Sequence, residues 1–311
     1  MPNSDTNQIG WQVVTNCSSI KRRDGTSITP SLGYRSLHEL SAAWVKKVLK
    51  ETDVEPVVDT YGGRTFTEAV AACKKLQANL YVISAGIGLV HATDRIPNYS
   101  LTISLGNGSI SQWLEQRGKT SDEWWTLLNQ KLGKPNPISQ LLKKSEGLIL
   151  ALPSTYLKMI ATELMMMPKE MKEKLIIITS TAGQKSIHAD LLIRCLPYDE
   201  RLEGDDAYRG TRNDFPQRAL KHLVNEIDFQ KKSIGEIKKE VLDFLSVLSK
   251  PKLPIRTKLD DKQIKKMIKE NWVLYRGKRE SLHRYLRDIA LVACEQKRFG
   301  ALWNQVKLEI S

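Results

Sequence analysis

The sequence is poor in cysteine, has no long apolar run and carries none of the common catalytic strings. Its four cysteines, Cys17, Cys73, Cys195 and Cys294, are scattered through 311 residues. They lack metal-ligand spacing and read as reduced thiols of a cytosolic protein. No apolar run approaches the roughly 20 residues of a membrane span. The longest, "EGLILAL" and "KLIIITS", are strand length. The opening "MPNSDTNQIGW" lacks the basic and apolar regions of a secretory signal, so a cytoplasmic protein with no membrane attachment is expected. There is no Walker A string, HExxH, CxxC or GxSxG. Gly86-Ile87-Gly88 lacks the third glycine of a dinucleotide fingerprint. Neither a metal nor an organic cofactor is expected. No repeat or low-complexity tract is present.

What is present is positive charge. The formal balance is +13, and a basic surface attracts polyanions. From Lys221 onward there are 21 Lys and Arg against 12 Asp and Glu. A single lysine run is ordinarily a solvated helix face, but a tail this basic suits nucleic acid.

The first two-thirds alternate strand and helix. In "SLHELSAAWVKKVLKET" the residues Leu37, Leu40, Trp44 and Val48 share one helical face. "TFTEAVAACKKLQA" opens with Thr65 and Glu68, the spacing of a capping box. "WQVVTN", "NLYVIS", "GLILAL" and "KLIIITS" are apolar on both faces, as a parallel sheet covered by helices requires. The expected class is α/β, a three-layer Rossmann-like sheet over residues 1–230. A basic helical region follows over 231–311, with two amphipathic helices around the turn "YRGKR".

In such sheets the ligand crevice lies off the carboxyl ends of the strands. That rule groups the residues 16–21, 59–64, 84–88, 153–156 and 179–185. In the first group Asn16, Cys17, Ser18 and Lys21 suit a phosphate or a base edge, or form an ordinary turn. Tyr61 and Arg64, around two glycines, suit stacking of a base and clamping of a phosphate, or form a turn with a surface Arg. Asp59 is a candidate catalytic carboxylate, or equally a helix cap or salt-bridge partner. Gly86 and Gly88 allow close approach of a ligand. His91, Asp94, Asn98 and Tyr99 follow. Arg209, Arg212 and Arg218 surround a helix start, a plausible phosphate clamp or a solvated charged loop. Trp113, Trp124 and Trp125 are spaced for core packing. His283, Arg284 and Arg287 lie on a tail helix suited to a nucleic-acid backbone.

The order "VVTNCSSIK", "YGGRTFTEA", "LYVISAGIGLVHATDRIPNYSLT" and "LILALPSTYLKMI", over residues 11–225, resembles a Rossmann-like family. Its kin occur as an accessory domain of archaeosine tRNA-guanine transglycosylases and archaeosine synthases. The family is similar in fold to the uracil-DNA glycosylase superfamily. Members with basic tails resemble phage-defence DNA glycosylases that remove bulky modified bases. The resemblance implies a DNA glycosylase that flips a modified base, plausibly a hypermodified pyrimidine, into the crevice and leaves an abasic site. Its alternatives are a non-catalytic reader of modified tRNA nucleotides and an enzyme of nucleoside deoxyribosyltransferase type. Where the family pattern has Tyr-Asp, this chain has Tyr99-Ser100, so that carboxylate has no counterpart. The GQDPYH string of true uracil-DNA glycosylases is also missing. On this reading Asp59, or else Asp94, stabilises the charge that develops on the sugar. Asn16, Ser84, His91 and the amides near Gly86 serve the leaving base, and Tyr61 stacks on it.

Overall fold

Val13, Val14, Leu148, Ile149, Leu150, Leu175 and Ile177 are wholly buried, and they define the sheet at the centre of the protein. The structure is a computed structural model that describes residues 10–22, 27–104, 106, 108–251 and 254–310. Its strands are β1 (Trp11–Asn16), β2 (Val54–Pro56), β3 (Asn79–Ser84), β4 (Gly88–His91), β5 (Arg95–Pro97), β6 (Gly147–Ala151), β7 (Leu175–Ile178), β8 (Thr257–Lys258) and β9 (Val292–Ala293).

The main sheet has the order β4-β3-β1-β6-β7. β3, β1, β6 and β7 are parallel, and β4 folds back antiparallel on β3. The free edge of β7 is covered by a short parallel bridge from Ile177 to Cys195, which withholds its backbone groups from other chains. Helices Gly63–Leu76 and Phe215–Glu226 pack together and on the sheet. A second pair, Leu37–Lys50 and Ser121–Lys131, packs together, the latter also on β4. This is the expected α/β class, a central, mostly parallel sheet flanked by helices.

Local chemistry explains the helix starts. Ser36 and Glu39 form a capping box on Leu37–Lys50, whose face Leu37, Leu40, Trp44 and Val48 is buried as its spacing predicts. Thr120 and Glu123 do the same for Ser121–Lys131, which buries Trp124 and Trp125 in the core. The box expected at Thr65 does not form. That helix begins at Gly63, capped by Gly62. Gly63 has φ +81 and packs on Ile20, so the glycine pair sets the start before Thr65 is reached. Glu68 instead takes Arg64 and Lys221 as ion-pair partners.

The chain divides into two units after Pro251, later than the expected division at 230/231. The reason is helix Ile234–Ser246, whose Ile237, Val241 and Leu245 belong to the first core. The second unit has its own core of Ile264, Ile268, Leu282, Leu286, Val292, Phe299, Leu302 and Val306. It holds helices Asp261–Glu270, Arg279–Arg284 and Gln296–Ile310, with one π-helical turn at Tyr285–Ile289. The long second helix expected there is broken. Leu291 takes φ +51, and Val292–Ala293 pairs with Thr257–Lys258. Among the described residues no helix is long and apolar enough to cross a membrane.

Candidate active site at the strand ends

The chain leaves β1 toward β3 and leaves β6 toward β7, on opposite sides in the sheet order. The carboxyl ends of β1 and β6 therefore flank the topological switch point, where ligand crevices form in sheets of this kind.

Gln217 ties the two strand ends together. It is fully buried, and its Nε2 donates to Thr15 Oγ1, Asn16 Oδ1 and the Ala151 carbonyl at 2.9, 3.1 and 3.0 Å. Asn16 is thereby a buried strut, its own amide donating to the Cys17 carbonyl. Cys17 follows, half-buried, with its N–H on the Ile83 carbonyl at 2.9 Å. Its Sγ lies 3.1 Å from the Tyr156 hydroxyl, carried by the short helix Ser154–Met159 after β6.

The loop after Cys17 is then pinned. Ser18 Oγ accepts from Ile20 N–H. Gly62 N–H donates to the Ile20 carbonyl, and Arg22 N–H to the Thr60 carbonyl, so Lys21 and Tyr61 pair as an antiparallel bridge. Lys21 Nζ sits 3.9 Å from the Tyr99 ring centroid and donates to Asn98 Oδ1 at 3.4 Å. Ser27 Oγ donates to the same Asn98 oxygen at 2.9 Å. Below lies a phenol chain in which the Tyr99 hydroxyl bonds to Tyr61 and to Ser84. Ser84 Oγ also accepts from the N–H groups of Gly86 and Ile87.

Burial sets the protonation of this cluster. It pushes the phenols of Tyr61, Tyr99 and Tyr156 well above their ordinary value, so all three stay neutral. The same desolvation lowers Lys21 from 10.5 to about 8, against an opposing pull from Cys17. Among the described residues no Asp or Glu makes a hydrogen bond or ion pair with Lys21, Tyr61, Tyr99 or Tyr156. The groups on offer are thus an amine, a thiol and neutral phenols.

The other anticipated residues lie elsewhere or are already engaged. β4 runs down from Ser84, so His91 pairs with Tyr81. It sits three residues back along β3, roughly 10 Å from the carboxyl end. Its Nδ1 contacts Thr93 Oγ1, and the Asp94 carboxylate accepts from the His91 N–H. Burial lowers the His91 pKa. This pair closes the turn before β5 and stays out of the crevice. Asp59 is exposed on the single-turn helix Val57–Thr60, whose Val57 and Val58 N–H groups bond to Asp94 and Ala92 carbonyls. Its carboxylate bonds to no described residue.

Gly86 and Gly88 do allow close approach, but of the protein's own side chains. A Cβ on Gly86 would lie 2.6 Å from Tyr99, and one on Gly88 would lie 2.4 Å from Asn129. Tyr61 is wholly buried, edge-on to Phe66, and offers no face for stacking. Arg218 is also fully buried. It bonds to Asp214, Glu203 and the carbonyls of Tyr208 and Thr211, so its guanidinium is consumed and cannot clamp a phosphate. Burial of a charge demands such pairing. Arg64 is exposed between Glu68 and Asp214, Arg209 pairs with Asp206, and Arg212 is exposed.

Tyr156 and Gln217 complete the site without having been singled out. Tyr156 is legible in the sequence only as part of a strand-end loop, and Gln217 follows a helix-start proline with no motif of its own. Beside Tyr156 an open groove of about 350 Å³ is lined by Ser154, Thr155 and Lys158 with Ser111, Leu114 and Lys119. No family model matches the chain, and no curated protein matches it.

Proposed function

We propose that this protein is a DNA glycosylase that flips a modified base, a bulky modified pyrimidine of phage DNA, into the crevice between β1 and β6 and cleaves its N-glycosidic bond. The observation that carries the reading is the half-buried pair Cys17 and Lys21 above the neutral phenols at the switch point.

Breaking an N-glycosidic bond leaves electron deficiency at C1′ and an electron pair on the base. Neutral phenols are hydrogen-bond donors for that pair, and they act more strongly in a dry site than in water. Tyr156 is the phenol bonded to the half-buried Cys17, and it serves the leaving base in this reading. Asp59 takes no part in this reading, since its exposed carboxylate makes no hydrogen bond or ion pair with a described residue of this cluster.

The second unit supports a nucleic-acid substrate. From Lys252 it counts 15 Lys and Arg against 7 Asp and Glu, and such an excess supplies salt-dependent, sequence-independent affinity. Arg279, His283, Arg284 and Arg287 line one depression on it together with Glu280 and Asp288, and Nε2 of His283 is held on the Cys294 carbonyl at 3.1 Å.

The test is incubation with DNA containing modified bases, followed by heating in alkali and detection of free base. Strand breaks at modified positions with release of the base support the reading. Tight binding without release makes the protein a reader. Turnover of free nucleosides without DNA affinity makes it a deoxyribosyltransferase-type enzyme.

A further inference from the structure

We propose that Lys21 is the nucleophile of this site and forms an imine with C1′ of the nucleotide whose base departs. The inference rests on the base-excision reading above and names the group that performs it.

Three observations converge on this amine. The first is its company. Nζ is held by a neutral amide oxygen and a neutral aromatic ring, with no carboxylate partner among the described residues. A lysine with no carboxylate partner among the described residues, and whose stem is partly buried, gives up its proton more readily. The ring of Tyr99 favours the ammonium, while desolvation by burial lowers its pKa. The second is its fixity. The bonds of Gly62 to Ile20 and of Arg22 to Thr60 clamp the backbone on both sides of Lys21, so the side chain is delivered from a rigid base. The third is its access. Lys21 is only half-buried and Ile20 beside it is exposed, so the segment that carries the amine reaches the protein surface.

The chemistry balances without a cofactor. The neutral amine attacks C1′, forming the N–C1′ bond as the bond from C1′ to the base nitrogen breaks. The electron pair leaves with the base, which receives the proton that the amine loses. The remaining N–H proton then passes to O4′ as the C1′–O4′ bond opens, and this gives the imine. Water adds to C1′ and returns the free lysine and an abasic sugar. A lysine lone pair can open the sugar in this way, which a carboxylate nucleophile cannot.

The test uses the full chain with a duplex oligonucleotide carrying one abasic site, incubated with sodium borohydride. Hydride reduces the imine to a secondary amine, and the protein–DNA adduct is resolved on a denaturing gel. The expected result is an adduct that peptide mass spectrometry places on Lys21 and that is lost in Lys21→Arg, a variant that keeps the charge and cannot form an imine. A single cooperative melting transition and retained binding of the same duplex show that Lys21→Arg is folded. Absence of an adduct, or one spread over other lysines, overturns the inference. Base release from modified DNA is measured in parallel. Release without a Lys21 adduct sinks the lysine mechanism and leaves the glycosylase standing. A Lys21 adduct without release sinks base excision and leaves the amine's reactivity standing.

Discussion

The sulfur of Cys17 lies 3.1 Å from the hydroxyl of Tyr156, a contact between residues 139 positions apart that joins the loop after β1 to the helix after β6. The two strands are neighbours in the sheet, so this bond closes the switch point with a thiol on one side and a phenol on the other. Replacing Tyr156 with Phe removes one hydroxyl and keeps the ring. The expected loss of stability is about 1 kcal/mol. If Tyr156 donates to the departing base, excision falls on the order of 10²-fold. Parallel melting and base-release measurements separate the two effects. An unchanged rate removes Tyr156 from the chemistry.

Gly86→Ala tests the phenol chain from the other side. The new methyl would stand 2.6 Å from Tyr99 Cε2 and 3.4 Å from Trp44. Tyr99 is fixed by bonds to Tyr61 and Ser84 and cannot swing away cheaply. A cost of about 1–3 kcal/mol is expected, as for other overpacked cores. Gly33→Ala, where a Cβ meets nothing within 4 Å, is the control and shifts denaturation midpoints by little.

Much of this arrangement is legible in the sequence, for physical reasons that also mark where legibility stops. Strands apolar on both faces announce a covered parallel sheet, and the strand-end rule then collects Asn16, Cys17, Lys21, Tyr61, Ser84 and residues near Tyr156. Strand direction is not legible in a short apolar run. "GLVH" reads alike in either sense, yet its antiparallel pairing with β3 carries His91 and Asp94 toward the other end of the sheet. Burial of a charge is equally hidden. Arg218 looks like its neighbours Arg209 and Arg212 until the helix Phe215–Glu226 turns it into the core. The break at Leu291 is hidden too, because "ALVAC" satisfies a helical face and a short strand alike.

The buried ion pair at Arg218 yields a stability prediction with no bearing on catalysis. Its Nε lies 2.7 Å from Asp214 Oδ1, and Nη2 lies 2.6 Å from Glu203 Oε1. Arg218→Met leaves both carboxylates without this partner, and one of them is almost wholly buried. The expected destabilisation is about 3–5 kcal/mol, while DNA affinity of the folded fraction is unchanged. A weaker affinity with unchanged stability would restore Arg218 as a phosphate clamp. Arg212→Ala, at an exposed position, is expected within about 0.5 kcal/mol of the parent.

His222 makes the first unit sensitive to acid. The ring is buried between Tyr208 and Phe244, its Nδ1 bonds to the Tyr198 hydroxyl, and burial lowers its pKa from 6.5 to about 4. Glu226 and Asp205 pull the other way and are outweighed. Between pH 6.5 and 4 the unfolded chain binds a proton at this position that the folded chain refuses. Stability therefore falls as pH drops through this window. His222→Leu is expected to flatten that slope in urea titrations at stepped pH. An undiminished slope would assign the acid sensitivity to other groups.

The pH profile of excision addresses Lys21 itself. Its ammonium is lowered to about 8 by burial, so roughly a tenth of the amine is neutral at pH 7 and about half at pH 8. Only the neutral form attacks, and the rate at saturating DNA is expected to rise with pH through about 8 and then level off. The groups facing the amine are Cys17, Tyr61 and Tyr99, and burial keeps both phenols protonated through this range. In Cys17→Ser, which leaves the amine in place, the rise is expected to be retained, and its loss would overturn the assignment to Lys21. The stability of the chain has the same sign. The folded pKa lies below the unfolded value of 10.5, so the native state binds fewer protons between the two and gains stability as pH rises across that interval. Lys21→Met removes this gain, which separates the equilibrium effect of the amine from its kinetic one.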